Sequence, residues 1–438
     1  MNKYKLSRFV RLFPYLCGEV ILYNSRNRAI VSFPNRYLLG SYITSLCPSE
    51  YINSLYELDF FDENIDDIEE ILDDNSNLII SIETMLRCNL ACPYCYQIGN
   101  KKSTVISEYD ITCLMTYIKN VYSKTNYKEL TIKILGGEPA LRWDIPQSIL
   151  SELKAFTNDK QIDLNIMIDT NGTLVKQYLS LGEYQSLLFT VPLTYEKCHN
   201  KNRKYRTGQG TYDDIINNIN LLKKELPNSI IVLRYNVDYQ NIKYFEDYIV
   251  DIKRKLNFLP IISPNYTMNL GEGGFENALS HADFIRWLSS DCIDILAENN
   301  LYITMTPYTL SGNCQFSSKY SLKIFSDGTV GACAMNFFDN ERPHISVLAN
   351  DIDSISKYWG GVKTTSILQD DKCRNCDSLF LCGGTYKLPC IKALGLKECL
   401  PDGQQHIDLK LFLERYLMYD KKGKSSLFVG FNNYNMYK

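Results

Sequence analysis

The chain has 438 residues, 45% hydrophobic and 22% charged, with a formal net charge of -3. That balance suits a globular chain long enough for two or three domains and excludes a disordered, collagen-like or strongly basic nucleic-acid-binding protein. No window approaches the roughly 18 uncharged apolar residues of a membrane span. The start MNKYKLSRFVRLFPYLC lacks the apolar core and small-residue cleavage site of a signal peptide. The expected compartment is the cytoplasm, with neither membrane nor nucleic acid as a partner.

Residues 1–77 read as a separate small α+β unit. ILYNSRNRAIVSF gives two short apolar strands around a polar turn, and helical spacing follows through YLLGSYITSL. The acidic run FFDENIDDIEEILDDNSN, a solvated helix face and linker, closes the unit. From 78 to 300 strand and helix patterns alternate. LIISI (78–82) precedes a helical stretch near 107–122, ELTIKIL (129–135) one near 145–157, and IDLNIMI (162–168) another from about 173; LLFTVPL, IIVLRYNV and FLPII continue the series. Six such strands make an α/β fold, and right-handed crossovers close it into a partial (βα)6 TIM-like barrel. Chemistry in βα barrels sits after the carboxyl ends of strands, where this chain carries TMLRCNLACPYCY, GGEPA and DTNG. Residues 301–405 are rich in cysteine and glycine, with a short strand signal YSLKIF and a turn at SDG. Residues 406–438 form a helical tail whose Leu409, Phe412, Leu413, Tyr416 and Leu417 share one packing face.

Fifteen cysteines need a reason in a reducing compartment, where disulfides are rare. The four histidines, His199, His281, His344 and His406, show no HExxH spacing and none stands beside a CxxC pair, which disfavours mixed Cys/His zinc sites. Sulfur-only ligation suits iron-sulfur clusters or zinc. Cys88, Cys92 and Cys95 form C-x3-C-x2-C; random placement would give such a triplet roughly 0.02 times. Three thiolates can hold a cubane cluster and leave its fourth iron open to a substrate or cofactor. In the next loop, Gly136 and Gly137 let backbone approach a ligand, and Glu138 can accept from an ammonium group. Taken alone, GGEP is also an ordinary tight turn.

Cys88, Cys92, Tyr94 and Cys95 match C-x3-C-x-aromatic-C, and on these residues the sequence resembles the radical S-adenosylmethionine enzymes over most of its length. The resemblance implies a [4Fe-4S] cluster on the three cysteines whose open iron S-adenosylmethionine chelates, with Tyr94, Gly136, Gly137 and Glu138 as cofactor-binding residues. It also implies that Arg203, in HNKNRKYRTGQGTYDDIINNI, contacts the cofactor carboxylate or ribose. The family often has Ser-x-Asp-Gly just upstream, where this chain has VPLTY. Cys314, Gly328 and Cys333, followed by CRNCDSLFLC, resemble the SPASM extension, which implies two auxiliary [4Fe-4S] clusters and three in all. The carried-over ligands are Cys314, Cys333 and Cys390 for one, and Cys373, Cys376, Cys382 and Cys399 for the other. Tyr386 stands where the family usually has a further cysteine, so the first auxiliary cluster is expected to be incomplete or to have an open iron. A pair of zinc sites is the alternative. Cys17, Cys47, Cys113, Cys198 and Cys292 match no motif and read mostly as buried thiols.

The resemblance points to a peptide maturase. Such an enzyme cleaves S-adenosylmethionine to a 5'-deoxyadenosyl radical and abstracts hydrogen from a ribosomally made precursor peptide with a leader, using flavodoxin or ferredoxin as reductant. An intrapeptide carbon-carbon, ether or thioether crosslink is the leading outcome, and epimerisation stays open. Residues 1–77 resemble a winged-helix leader-binding domain, to which a leader can add as a strand, or serve as a plain cap. The alternative enzyme is an anaerobic sulfatase maturase forming formylglycine. That group has an aspartate after the cysteine equivalent to Cys333, and here Ala334, Met335 and Asn336 follow. A noncatalytic iron-sulfur protein that binds peptides or carries electrons is the reading from another class, and it needs neither an open iron nor an amine site. The sequence singles out no catalytic base.

Overall fold

The computed structural model describes residues 4–63, 76–95, 97, 104–267, 275–305, 315, 318–333, 342–358, 371–382 and 407–432. The first unit contains β1 (Tyr4–Lys5), β2 (Val10–Pro14), β3 (Glu19–Asn24), β4 (Ile30–Pro34), β5 (Leu38–Leu39), β6 (Tyr42–Ile43) and helix α1 (Ser49–Glu57). The predicted hairpin is present: β3 and β4 are antiparallel, with Val20 opposite Phe33, and β2 flanks the other side of β3. Strand alternation splits β3 between two cores. Val20 and Leu22 pack with Leu6, Phe33, Ile52 and Leu55, whereas Ile21 and Tyr23 belong to the main core. The helix expected through YLLGSYITSL does not form, because Leu39 pairs with Tyr42 around Gly40-Ser41 in a two-residue hairpin. Gly40 supplies the positive φ of +60° there.

Strands β7 (Asn77–Glu83), β8 (Glu129–Leu135), β9 (Asp163–Asp169), β10 (Ser186–Pro192), β11 (Ile230–Val237) and β12 (Ile261–Tyr266) pair in parallel in chain order. Between them lie α2 (Glu108–Thr125), α3 (Asp144–Lys160), a 3-10 segment Val175–Glu183, α4 (Glu196–Asn202), α5 (Tyr212–Glu225) and α6 (Phe245–Lys255). This is the expected partial barrel, with two local differences. The segment after 173 is 3-10 rather than α, matching its buried Val175, Tyr178 and Leu181 at every third residue. The last strand starts at Ile261, because Pro260 has no N–H to give to a ladder.

Along each barrel strand one set of alternate residues packs outward. Ile80, Ile82, Ile132, Ile134, Ile166, Ile168, Phe189, Val191, Leu233 and Tyr235 all join the main core. Of the intervening residues that face the barrel interior, Ser81, Glu83, Thr131, Leu188 and Val232 are buried, whereas Lys133, Met167, Asp169, Thr190, Pro192, Arg234 and Asn236 are half-buried. A closed barrel fills this space with branched apolar side chains; here Leu188 and Val232 do so lower down, and toward the carboxyl ends of the strands Asp169, Thr190, Arg234 and Asn236 leave it polar and partly open to solvent.

Helices α7 (His281–Ser289) and α8 (Asp291–Glu298) follow β12. YSLKIF then supplies β13 (Leu322–Ile324), which joins β7 in parallel, and β14 (Val330–Gly331) turns back on it at Gly328, φ +76°. The sheet therefore runs β12-β11-β10-β9-β8-β7-β13-β14, and the cysteine-rich region begins as an extension of the barrel. Helix α9 (Ile345–Asn350) packs on α2, and α10 (Leu409–Lys421) packs on α7 and α8. Leu409, Phe412 and Leu413 are buried as the spacing predicts. Among the described residues no helix is long and apolar enough to cross a membrane.

Candidate functional site

The loops after β7, β8 and β9 interlock at the carboxyl end of the barrel. Gly137 N–H donates to the Met85 carbonyl at 2.8 Å, and Glu138 N–H to the Arg87 carbonyl at 2.9 Å. A Cβ on Gly136 would press on Met85 and one on Gly137 would run into the Arg87 carbonyl. The two glycines therefore let the backbone of the cysteine loop pass, where the sequence alone led one to expect a ligand. The Glu138 side chain is fully buried. It accepts from Tyr178 Oη at 2.7 Å, Thr170 Oγ1 at 2.9 Å, Asn171 N at 2.7 Å and Ala140 N at 3.1 Å. Burial holds its carboxyl above the ordinary value while these donors pull it back down. Glu138 thus ties the GGEP loop to DTNG and to the 3-10 segment. Tyr178 had no local sequence signal and is found only through this contact.

Cys92 is buried, and Cys88 and Cys95 are half-buried beside it. Burial pushes the Cys88 and Cys95 thiols up, and the neighbouring thiols add to the shift, so the three sulfurs lie within electrostatic reach of one another. Cys88 Sγ accepts from Leu90 N at 3.4 Å and from Asn171 Nδ2 at 3.6 Å. Asn171 also donates to Asn89 Oδ1 at 2.7 Å, which connects DTNG to the cysteine loop a second time.

The segment after α4 closes the other side. Ala91 N–H donates to the Lys204 carbonyl at 2.9 Å, and Arg206 Nε to the Cys88 carbonyl at 2.8 Å. Arg203 is buried and donates to Tyr94 Oη at 3.2 Å, while its Nε has no hydrogen-bond partner among the described residues. Burial opposes its charge, but Tyr94 and the Cys92 thiol beside it hold it firmly protonated. His199 supports Arg203 from behind. Its Nδ1 accepts from Thr194 N at 3.3 Å, which leaves the proton on Nε2 to donate to Thr211 Oγ1 at 3.0 Å. Thr211 Oγ1 in turn donates to the Arg203 carbonyl at 2.8 Å. In the sequence His199 stands out only as one of four histidines without zinc spacing and as the first residue of this segment.

These residues fit a cluster carrying a small polar ligand. Three thiols share one loop, and a buried guanidinium with an unsatisfied donor stands next to them. Among the described residues, no three Cys, His, Asp or Glu side chains form a site for a single metal ion. Of the other candidate ligands, Cys333 is buried just after β14, and Cys373, Cys376 and Cys382 are gathered in the short segment 371–382. Cys314, Cys390 and Cys399 lie outside the described residues, as do Tyr386, Ala334, Met335 and Asn336. Cys113, Cys198 and Cys292 are buried and Cys47 half-buried.

Comparison with known proteins agrees with this geometry. Residues 82–252 match the family model of the Radical SAM superfamily. The radical SAM cyclopropyl synthase TigE of Paramaledivibacter caminithermalis is 22% identical over 413 residues, 84% of this chain and 81% of that one. Among solved structures, native anSMEcpe with bound AdoMet and Cp18Cys peptide has a TM-score of 0.56 at 18% identity, covering 82% of this chain and 99% of the other. Streptococcus suis SuiB bound to S-adenosylmethionine has a TM-score of 0.50 at 16% identity, covering 93% and 99%. The structural likenesses bear on the fold, and the family match bears on the cysteine loop within it. Residues 82–252 of this chain are a radical SAM domain.

Proposed function

We propose that the protein is a radical SAM peptide maturase that acts on a ribosomally synthesised precursor peptide and forms an intrapeptide crosslink. The observation that carries this reading is the pairing of a three-thiol loop, clamped by its neighbours, with a partial barrel whose interior is polar and partly open at the same end. The bound peptide and S-adenosylmethionine named for anSMEcpe support it, as does the resemblance to TigE.

In this reading Cys88, Cys92 and Cys95 hold a [4Fe-4S] cluster. When bound, the cluster and S-adenosylmethionine supply a 5'-deoxyadenosyl radical that takes a hydrogen atom from the substrate. Arg203 neutralises the cofactor carboxylate with the Nε that has no partner of its own, and Tyr94 holds its other arm. The GGEP loop, packed on the cysteine loop by Gly136 and Gly137, would offer backbone carbonyls to the cofactor ammonium, with the buried carboxylate of Glu138 behind it. Cys314, Cys333 and Cys390 serve one auxiliary cluster, and Cys373, Cys376, Cys382 and Cys399 the other. Residues 1–77 receive the leader, 78–300 the reacting segment, 301–405 carry the auxiliary clusters, and 406–438 pack the rear. Flavodoxin or ferredoxin supplies the electron.

The test is anaerobic incubation of the reconstituted protein with S-adenosylmethionine, reductant and a short peptide encoded beside its gene, followed by high-resolution mass spectrometry. A product lighter by two hydrogens is expected. Unchanged mass with deuterium uptake from heavy water would replace crosslinking by epimerisation, and deoxyadenosine without any peptide change would reject the substrate. Cys95→Ala should abolish deoxyadenosine and remove one cluster's worth of iron; undiminished product would sink the radical reading.

A further inference from the structure

The barrel interior holds charged side chains that the cofactor reading leaves unused. Lys133 on β8 pairs with Asp169 on β9 at 3.1 Å, and both stay about a quarter exposed, at 29% and 26%. The other carboxylate oxygen, Asp169 Oδ1, is buried and has no hydrogen-bond partner among the described residues. Arg234 on β11 is half-buried, and its buried Nε likewise has no hydrogen-bond partner among the described residues. Strand register places these groups in order. Asp169 lies opposite Thr190 on β10, whereas Arg234 lies opposite Pro192, one pleat nearer the cysteine loop. Leu233 and Tyr235 on either side of Arg234 are locked in the main core, so the arginine is committed to the interior.

Among the described residues, no carboxylate forms an ion pair with Arg234. Lys133, Asp169 and Arg234 together leave one uncompensated positive charge facing the open interior. A buried guanidinium N–H without an acceptor is costly in water-poor surroundings, and a carboxylate, which can take two parallel N–H bonds, is the ligand that best relieves it. We propose that Arg234 binds a carboxylate side chain of the substrate peptide, with Lys133 adding positive charge and Asp169 Oδ1 accepting a peptide N–H. This assignment rests on the peptide-maturase reading. Within that reading it makes an acidic residue beside the reacting position a substrate requirement. The methionine carboxylate of the cofactor shares this chemistry, but Arg203 already stands beside the cysteine loop for it.

The test uses the cluster-reconstituted protein and two probes, N-acetylglutamate N-methylamide and its glutamine counterpart, with affinities read by ligand-detected NMR. The glutamate probe is expected to bind about tenfold more tightly than its neutral twin, as for a charge-assisted paired contact. Arg234→Gln should erase that preference while S-adenosylmethionine affinity stays as in the parent. Arg234→Lys, which keeps the charge and loses the fork, should keep a weakened preference, and it reports if the glutamine variant does not fold. Equal or undetectable binding of the two probes by the parent, or a preference that survives Arg234→Gln, overturns the proposal. So does a loss of S-adenosylmethionine affinity in Arg234→Gln, which would assign the arginine to the cofactor. Failure of the maturase reading gives a different result: the probe preference persists, yet no peptide changes mass or takes up deuterium.

Discussion

The imidazole of His199, on α4, is fully buried against Tyr212 at the start of α5 and works as a neutral link in a chain from Thr194 through Thr211 to the Arg203 carbonyl. Burial, reinforced by the charge of Arg203, holds its pKa well below the ordinary 6.5. The unfolded chain therefore binds a proton below about pH 6.5 that the folded chain refuses, so stability is intact above that pH and is lost as pH falls below it. The slope from this one group reaches at most about 1.4 kcal/mol per pH unit. His199→Gln should lower the melting temperature at pH 7.5 yet flatten its fall between pH 6.5 and 5.5. Melting curves of both proteins across that range check it, and an unchanged slope would remove His199 as the source.

At the scale of elements, the decisive contact is the one between β7 and β13, which joins the strand leading into the cysteine loop to the strand leading toward Cys333. Lys323 Nζ meets Glu83 Oε2 at 2.9 Å with the two side chains only 0% and 4% exposed. Ser326 donates to the other oxygen through Oγ at 3.2 Å. Burial pulls the Lys323 amine down from its ordinary value while Glu83 pulls it back up. Such a pair adds little net stability, but removing one partner strands a buried charge. Lys323→Met should cost about 3–5 kcal/mol in denaturant unfolding. The double variant Glu83→Met, Lys323→Met should recover much of that loss, since two apolar groups replace two charges. A double variant as unstable as the single one would mean that the pair contributes through its shape rather than its charge. The sequence displays Glu83 and Lys323 as two ordinary polar residues about 240 positions apart, and only strand pairing makes them neighbours.

Across the whole molecule, the first unit is fastened at two places. Ile21 and Tyr23 of β3 enter the main core, Tyr23 against Phe431 near the chain's end. On the other side, Phe9 meets Phe380 edge to face at 4.7 Å, Arg11 donates to Ser378 Oγ at 2.9 Å, and Arg8 to the Arg374 carbonyl at 3.1 Å. The unit proposed to receive a leader thus rests directly on the segment that carries Cys373, Cys376 and Cys382. Phe9→Ala should remove about 3–5 kcal/mol of packing and loosen this contact locally. Hydrogen exchange should then quicken in 10–14 and 374–382 and stay unchanged in β8 and β9. Uniform quickening would show that the phenyl group supports the entire fold instead.

What the sequence determined by itself was whatever chemistry or periodicity is local. The C-x3-C-x2-C run, the GGEP and DTNG turns, the six βα repeats and the packing face of α10 all fit within windows of a few to about twenty residues, where spacing reports geometry directly. The short pairing of Leu39 with Tyr42 was legible too, in Gly40-Ser41, but the helical period of the flanking residues masked it. Tertiary structure decided what depends on contacts between distant segments. It showed that Gly136 and Gly137 make room for the cysteine loop, and that Glu138 is held by Tyr178 and Thr170. It likewise put β13 beside β7, and Arg234 inside the barrel with a buried Nε that has no hydrogen-bond partner among the described residues. The physical reason is the same in each case: burial and pairing are properties of a three-dimensional neighbourhood, and a residue's own letter does not state which distant residues will exclude its water.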